Sequence, residues 1–142
     1  MPATSLIIEK MVTAPPHRVW LALIRKEEMK HWYFELDDFK AEPGFEFRFY
    51  GKGHKGEQYL HLCKVLEVIP DKKIAYSWQY KGYPGYSVVS FELFEEGTGT
   101  RIVLTHKIEE AFPGNNPDFA QTSFTQGWTY LVTKSLPEYL AV

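Results

Sequence analysis

Residues 74–106 of the chain read IAYSWQYKGYPGYSVVSFELFEEGTGTRIVLTH, and large apolar side chains occupy every second position over much of this stretch. Three runs share the spacing: Ile74, Tyr76, Trp78 and Tyr80; Val89, Phe91 and Leu93; and Ile102, Leu104 and His106. Glycine-containing turns at 82–85 and 97–99 separate the runs. Because neighbouring side chains of a strand point to opposite faces, this spacing predicts consecutive antiparallel strands that each bury one face.

The same alternation continues on the N-terminal side of this stretch. Residues 45–49, FEFRF, alternate phenylalanine with charged residues, and residues 59–69 form a longer strand candidate after a glycine-rich break at 51–56. Residues 6–13 are predicted to form a separate first strand. The chain is therefore expected to contain six or seven antiparallel strands.

Three helices are predicted. Pro15 and Pro16 suit a first helical turn, and apolar residues between 19 and 24 follow at helical spacing, so a short helix is expected there. A second short helix is expected from Lys26 to Trp32. Further on, a long apolar stripe is formed by Ala120, Phe124, Trp128, Leu131, Val132, Leu136 and Tyr139. It predicts a long helix from about Pro117 to Tyr139, capped by Asp118 and kinked or ended early by Pro137.

The composition fits a single domain spanning residues 1–142. A formal net charge of -2, with both signs spread along the chain, disfavours nucleic acid and anionic membranes as partners. Cys63 is the only cysteine, so an intramolecular disulfide and a four-cysteine zinc site are excluded. Because the first residues lack a signal-peptide pattern and no apolar run has the length of a membrane span, we expect a cytoplasmic location without membrane insertion.

Several short segments, in order along nearly the whole chain, carry a resemblance to a known family. They are residues 14–16 (APP), 19–20 (VW), 30–33 (KHWY), 43–47 (PGFEF), 65–70 (VLEVIP), 76–78 (YSW), 99–102 (GTRI), 104–106 (LTH) and 127–128 (GW). With the predicted order of elements, they resemble the START-like (SRPBCC) superfamily, and within it the C-terminal-domain-like homologues of the activator of the heat shock protein 90 ATPase. The resemblance implies an α+β helix-grip fold, in which a curved antiparallel sheet wraps around the long C-terminal helix.

The resemblance leaves three functions open, because the superfamily contains lipid and hormone carriers, chaperone regulators, and cyclases or dehydratases. The first is a binding protein that encloses a small apolar or amphipathic molecule between sheet and helix. The second is a regulator that acts through its outer surface on a heat shock protein 90 type ATPase. The activators that gave the family its name carry a separate N-terminal domain, for which we expect no room in this chain. The third is a cyclase- or dehydratase-like enzyme using His106 and cavity tyrosines. Such an enzyme needs an acid and a base that converge on the substrate, and the sequence shows no such pair, so we expect a binding protein rather than an enzyme.

Aromatic residues form 16% of the chain, and rings on a concave surface are typical of ligand pockets. The rings expected to face the space between the sheet and the long helix are Trp32, Phe47, Phe49, Trp78, Phe91, Phe124 and Trp128. His106 is added as a ligand-orienting residue, because it is in phase with the apolar face of its strand. The alternatives are a tightly packed core without a ligand and a structural histidine hydrogen-bonded near the strand end.

No metal or cofactor is expected. The remaining histidines lack the spacing of a zinc protease motif; they are His17, His31, His54 and His61. His61 and Cys63 share a strand face, but two further ligands are missing nearby. The acidic residues Glu35, Asp37 and Asp38 are expected in a solvated loop. Neither a nucleophile elbow nor a phosphate-binding loop is present in the sequence.

Overall fold

In the computed structural model, which describes residues 4–36, 38–52 and 55–141, the strands form one six-stranded antiparallel sheet. The first elements are strand β1 (Thr4–Val12), helix α1 (Pro16–Ile24) and helix α2 (Lys26–Trp32). The further strands are β2 (Glu46–Lys52), β3 (Gln58–Ile69), β4 (Lys73–Tyr80), β5 (Tyr86–Glu96) and β6 (Gly99–Glu110). The predicted antiparallel sheet and the two short helices are confirmed.

A 3-10 turn (Pro117–Phe119) leads into the C-terminal helix. This helix consists of α3 (Gln121–Tyr130), a π-helical segment (Leu131–Ser135) and α4 (Leu136–Leu140), and residues 121–140 are together called the closing helix below. Its apolar stripe packs on the inner face of the sheet, where side chains four residues apart are buried: Phe124, Trp128, Val132 and Leu136. Each such burial stabilises the fold by about 1.5–3 kcal/mol. Among the described residues, none of the helices has both the length and the apolar character needed to cross a membrane.

The sheet has the strand order β1-β6-β5-β4-β3-β2, so β2 to β6 form a meander and β1 pairs with β6. Five inner residues lie directly opposite one another across five strands: Val65, Tyr76, Val89, His106 and Leu6. Tyr76, Val89 and His106 are at most 2% exposed, as the alternation in the sequence predicts. This row forms the floor on which the closing helix packs.

The ends of the closing helix differ from the prediction. The N-cap residue is Ala120, whose methyl group cannot make a capping bond, and Asp118 lies two residues earlier in the 3-10 turn. The predicted Asp118 cap is therefore wrong. Pro137 does not end the helix early, because the helix continues to Leu140. The Leu136 N–H donates to the Leu131 carbonyl five residues back, and Pro137 then lies in the first turn of α4, where a missing N–H costs little.

The two short helices fasten one end of the closing helix. The Trp32 indole N–H donates to the Ala22 carbonyl at 2.9 Å, and the Ser135 hydroxyl donates to the Trp32 carbonyl at 2.7 Å. In a partly buried position beside them, Arg18 and the Tyr139 hydroxyl both donate to the Glu28 carboxylate. These bonds join α1 and α2 to the last two turns of the closing helix.

The hairpin between β4 and β5 supports a prediction about two glycines. Gly82 has φ +83 with open space where a Cβ would lie, whereas Gly85 has φ +121 and a Cβ there would lie 2.2 Å from Cδ1 of the buried Phe112. Gly82→Ala should lower the free energy of unfolding by about 1–2 kcal/mol, the cost of positive φ. Gly85→Ala should cost about 2 kcal/mol more, because the Phe112 ring must move. Urea unfolding of both variants tests this, and equal losses would contradict it.

Candidate functional site

A cavity of about 470 Å³ lies between α3 and the ends of β2, β3 and β4. Exposed residues on its lining, Lys52, Gln126 and Tyr130, mark the side that opens to solvent. The rest of the wall is mainly aromatic: Phe34, Tyr59, His61, Trp78, Tyr80, Phe119, Phe124 and Trp128. Concave, mostly apolar walls with a few polar groups are typical of small-molecule sites of this size.

Alternate residues of β3 and β4 form the part of the cavity wall that the sheet contributes. Tyr59 and His61 lie on one face of β3, and Trp78 and Tyr80 lie on the same face of β4. Gly51 makes room for the His61 ring, since a Cβ on Gly51 would lie 2.6 Å from His61 Cε1.

The structure divides the eight residues that the sequence suggested. Trp78, Phe124 and Trp128 line the cavity. The other five lie in the packed core and do not line the cavity: Trp32, Phe47, Phe49, Phe91 and His106, each at most 6% exposed. Trp128 contacts both groups, with ring centroids 5.2 Å from Trp78 and 6.2 Å from Phe91. The predicted set thus separates into a cavity wall and a core that supports it.

His106 joins the closing helix to the sheet. The Trp128 indole N–H donates to His106 Nδ1 at 2.9 Å, and because an indole only donates, Nδ1 carries no proton. The proton therefore lies on Nε2 and is donated to the Ser87 hydroxyl at 2.8 Å, which donates in turn to the Trp78 carbonyl at 3.1 Å. Burial lowers the pKa of His106 to about 4, so the ring is neutral at pH 7. Both nitrogens are thus engaged in structural hydrogen bonds.

His61 is a second buried neutral imidazole, and it lines the cavity. Its ring stacks on Phe49 with centroids 4.5 Å apart, and its Nδ1 donates to the Tyr59 carbonyl at 3.1 Å. Burial lowers the pKa of His61 to about 4, although hydrogen bonding to the backbone carbonyls of Tyr59 and Phe49 opposes the shift. At neutral pH the ring therefore adds no charge to the wall.

Hydrogen bonds connect the 3-10 turn to the start of β3 beside the cavity. The Tyr59 hydroxyl donates to the Asp118 carboxylate at 2.6 Å and accepts from the Asn116 side-chain amide at 3.2 Å. The Asp118 N–H donates to the Asn116 side-chain oxygen, which fixes the turn. Burial, and after it the hydrogen bond to Asp118, raises the pKa of Tyr59, so this hydroxyl stays protonated.

Sequence reasoning missed several residues of the wall. Phe34 follows α2 in a segment without regular structure, so no periodicity identified it. Tyr59 and His61 were inside a predicted strand, and their phase with Cys63 and Val65 was the signal that could have found them. Phe119 lies in the 3-10 turn, which the apolar spacing had predicted to be part of the long helix.

The residues considered for metal or acid-base chemistry lie apart. Within residues 4–36, 38–52 and 55–141, no three His, Cys, Asp or Glu side chains come together in a way that could hold a metal ion. Glu35 and Asp38 are exposed, while Asp37 and His54 lie outside the described residues. Burial raises the pKa of the Cys63 thiol, so it stays protonated.

A curved antiparallel sheet wrapped around a C-terminal helix is the helix-grip architecture, and the sequence model of one family matches most of the chain. The matching family is described as Activator of Hsp90 ATPase homolog 1-like protein, and the match covers residues 13–141. The chain belongs to this family, as its resemblance predicted. No curated protein matches the sequence.

Solved structures share the fold at low sequence identity. MLL2253 from Mesorhizobium loti is 26% identical, with a TM-score of 0.74 and 97% of each chain covered. CalU16 from Micromonospora echinospora is 24% identical, with a TM-score of 0.74, covering 98% of this chain and 77% of CalU16. DynU16, a protein of the dynemicin biosynthetic locus, is 20% identical, with a TM-score of 0.78, covering 99% of this chain and 48% of DynU16.

The two buried histidines predict a loss of stability in acid. Unfolded histidine takes up a proton near pH 6.5, whereas folded His61 and His106 resist it down to about pH 4. The unfolded state thus binds more protons in this window, so the free energy of unfolding should fall as pH drops from 6.5 to 4. Each histidine should contribute a slope of about 1.4 kcal/mol per pH unit near pH 5.

Urea unfolding between pH 7 and pH 4.5 measures this slope. His106→Gln and, separately, His61→Gln should each make it shallower by about 1.4 kcal/mol per pH unit, while the contribution of carboxylates cancels between variant and parent. If the free energy of unfolding of both variants depends on pH as steeply as that of the parent, the two histidines are not neutral groups in the folded protein.

Proposed function

We propose that the chain binds a small apolar or amphipathic molecule in the cavity between the closing helix and the sheet. The observation that carries the proposal is the aromatic-walled space of about 470 Å³ that opens to solvent beside an otherwise packed core. Ligand pockets commonly measure about 300–1,000 Å³ and combine apolar walls with a few polar groups. Trp78, Phe124 and Trp128 are the proposed contacts among the residues predicted from the sequence.

The charges of the site support a neutral or weakly polar ligand. His61 and Tyr80 are neutral at pH 7, because burial lowers the pKa of His61 and raises that of Tyr80. The charged side chains on the lining are Asp118, which accepts from Tyr59, and the exposed Lys52. Burying a charged group against this wall would carry a desolvation cost, and an apolar group avoids that cost.

Binding is favoured over catalysis by the state of His106. A general base needs an accessible lone pair, and that of His106 Nδ1 already accepts from Trp128 while Nε2–H is donated to Ser87. DynU16 shares the fold and belongs to a biosynthetic locus, which is compatible with a role in handling small molecules. The regulator function suggested by the family description would use the outer surface and stays a prediction.

Gly127 offers a direct test, because it lines the cavity and a Cβ there would meet no atom within 4 Å. Gly127→Trp should fill the space and weaken binding of N-phenyl-1-naphthylamine, a neutral dye that fluoresces in apolar sites, at least tenfold. The free energy of unfolding of the Gly127→Trp variant should not fall, because glycine inside a helix costs about 1 kcal/mol relative to alanine and the substitution removes a glycine. Fluorescence titration and urea unfolding measure the two effects.

Gly127→Ala is the matched control and should keep the dye affinity within about twofold, since one methyl group leaves most of the volume open. A Gly127→Trp protein that binds the dye as tightly as the parent would show that the cavity is not the binding site. A parent protein that binds no dye would count against the proposed function itself.

A further inference from the structure

The hydroxyl of Tyr80 has an unused hydrogen-bond proton. The Trp78 indole N–H donates to the Tyr80 oxygen at 2.9 Å. An indole nitrogen only donates, so this bond uses a lone pair of the Tyr80 oxygen and leaves the hydroxyl proton for another partner. Among the residues that the structure describes, no side chain or backbone group accepts that proton. Tyr80 is 7% exposed and lines the cavity.

Three other donors in or beside the cavity wall have acceptors within the protein. The Tyr59 hydroxyl donates to Asp118, the Trp128 indole to His106, and the Ser87 hydroxyl to the Trp78 carbonyl. A buried donor without an acceptor is unfavourable, and native proteins rarely contain one without a functional reason. The unmatched donor of Tyr80 therefore lies where a bound molecule could accept from it.

We propose that Tyr80 donates its hydroxyl proton to an oxygen of a neutral ring-shaped ligand, such as an aromatic ketone, ester or ether, and so determines which molecules the cavity prefers. The inference rests on the proposed function, because it assigns the polar contact of the same cavity. The flat part of the ligand would pack against the rings of Trp78, Phe124 and Trp128.

The carboxylate of Asp118 favours a neutral acceptor over an anion. Burial raises the pKa of Tyr80 well above its usual range, and the negative charge of Asp118, which lines the same cavity, adds a small contribution in the same direction. An anionic ligand at the same place would be repelled by that carboxylate. A neutral carbonyl or ether oxygen accepts the proton without that repulsion.

Three probes with one ring system separate these possibilities: 2-acetylnaphthalene, 2-ethylnaphthalene and 2-naphthoate. Binding is measured by calorimetry and by quenching of tryptophan fluorescence. The parent should bind the ketone about tenfold more tightly than the hydrocarbon, the effect of one net hydrogen bond, and should bind the carboxylate more weakly than the ketone. Tyr80→Phe should remove the preference for the ketone while keeping the hydrocarbon affinity.

Tyr76→Phe is the matched control. Tyr76 is also a buried tyrosine, but its hydroxyl is paired with that of Tyr33 at 2.6 Å and it does not line the cavity. This variant removes a buried hydroxyl and should keep the ketone preference. A loss of preference in both variants would mean that general loosening of the core, rather than the Tyr80 donor, is responsible, and would overturn the inference.

A measurement on the parent covers the case in which Tyr80→Phe does not fold. The carbonyl stretching frequency of bound, isotope-labelled 2-acetylnaphthalene should be lower than in a hydrocarbon solvent, as expected for a hydrogen-bonded ketone. An unshifted frequency, or equal affinity of the parent for ketone and hydrocarbon, overturns the role of Tyr80 but leaves the cavity function intact. Absence of binding by all three probes would reject the proposed function, and the inference with it.

Discussion

The hydrogen bond from the Trp128 indole to His106 Nδ1 is the contact on which the rest of the structure depends. It crosses from the closing helix to β6, and the chain of bonds continues through Ser87 on β5 to the Trp78 carbonyl on β4. Every member is buried, so a helix rotated or shifted along its axis would leave a polar group without a partner. Apolar side chains tolerate small displacements better than this polar chain does. The network therefore selects one position of the closing helix on the sheet.

That position also explains the cavity. On the C-terminal side of Trp128, Val132 and Leu136 are fully buried against the sheet, and the Ser135 bond to Trp32 holds this end down. On the N-terminal side, the helix passes over the ends of β2, β3 and β4, where Gly127 has no Cβ to fill the gap. The C-terminal half of the closing helix is thus packed tightly on the sheet, whereas the N-terminal half is held by Phe124 and Trp128 and also covers the cavity.

The sequence predicted the parts of the fold that depend on local periodicity. Alternation identified the inner face of β4, β5 and β6, and the four-residue spacing from Phe124 to Leu136 identified the buried stripe of the closing helix. It could not distinguish Phe91, which is core, from Trp78, which lines the cavity, because both point inwards and only the path of the helix separates them. Phe34 was missed because a segment without regular structure has no period to read.

The neutral interior connects the stability of the fold with the chemistry proposed for its cavity. Within the described residues, the buried polar groups belong to neutral serine, threonine, histidine and tyrosine side chains, while ion pairs such as Arg101 with Glu9 and Glu96 lie outside the core. Because burial keeps both inner histidines uncharged, each resists a proton that the unfolded chain accepts, and acid weakens the fold. Under the proposed function, the same exclusion of charge would select a bound molecule by its shape and by neutral hydrogen bonds. A ligand that brought a charge into this interior would have to overcome the desolvation that keeps His61 neutral.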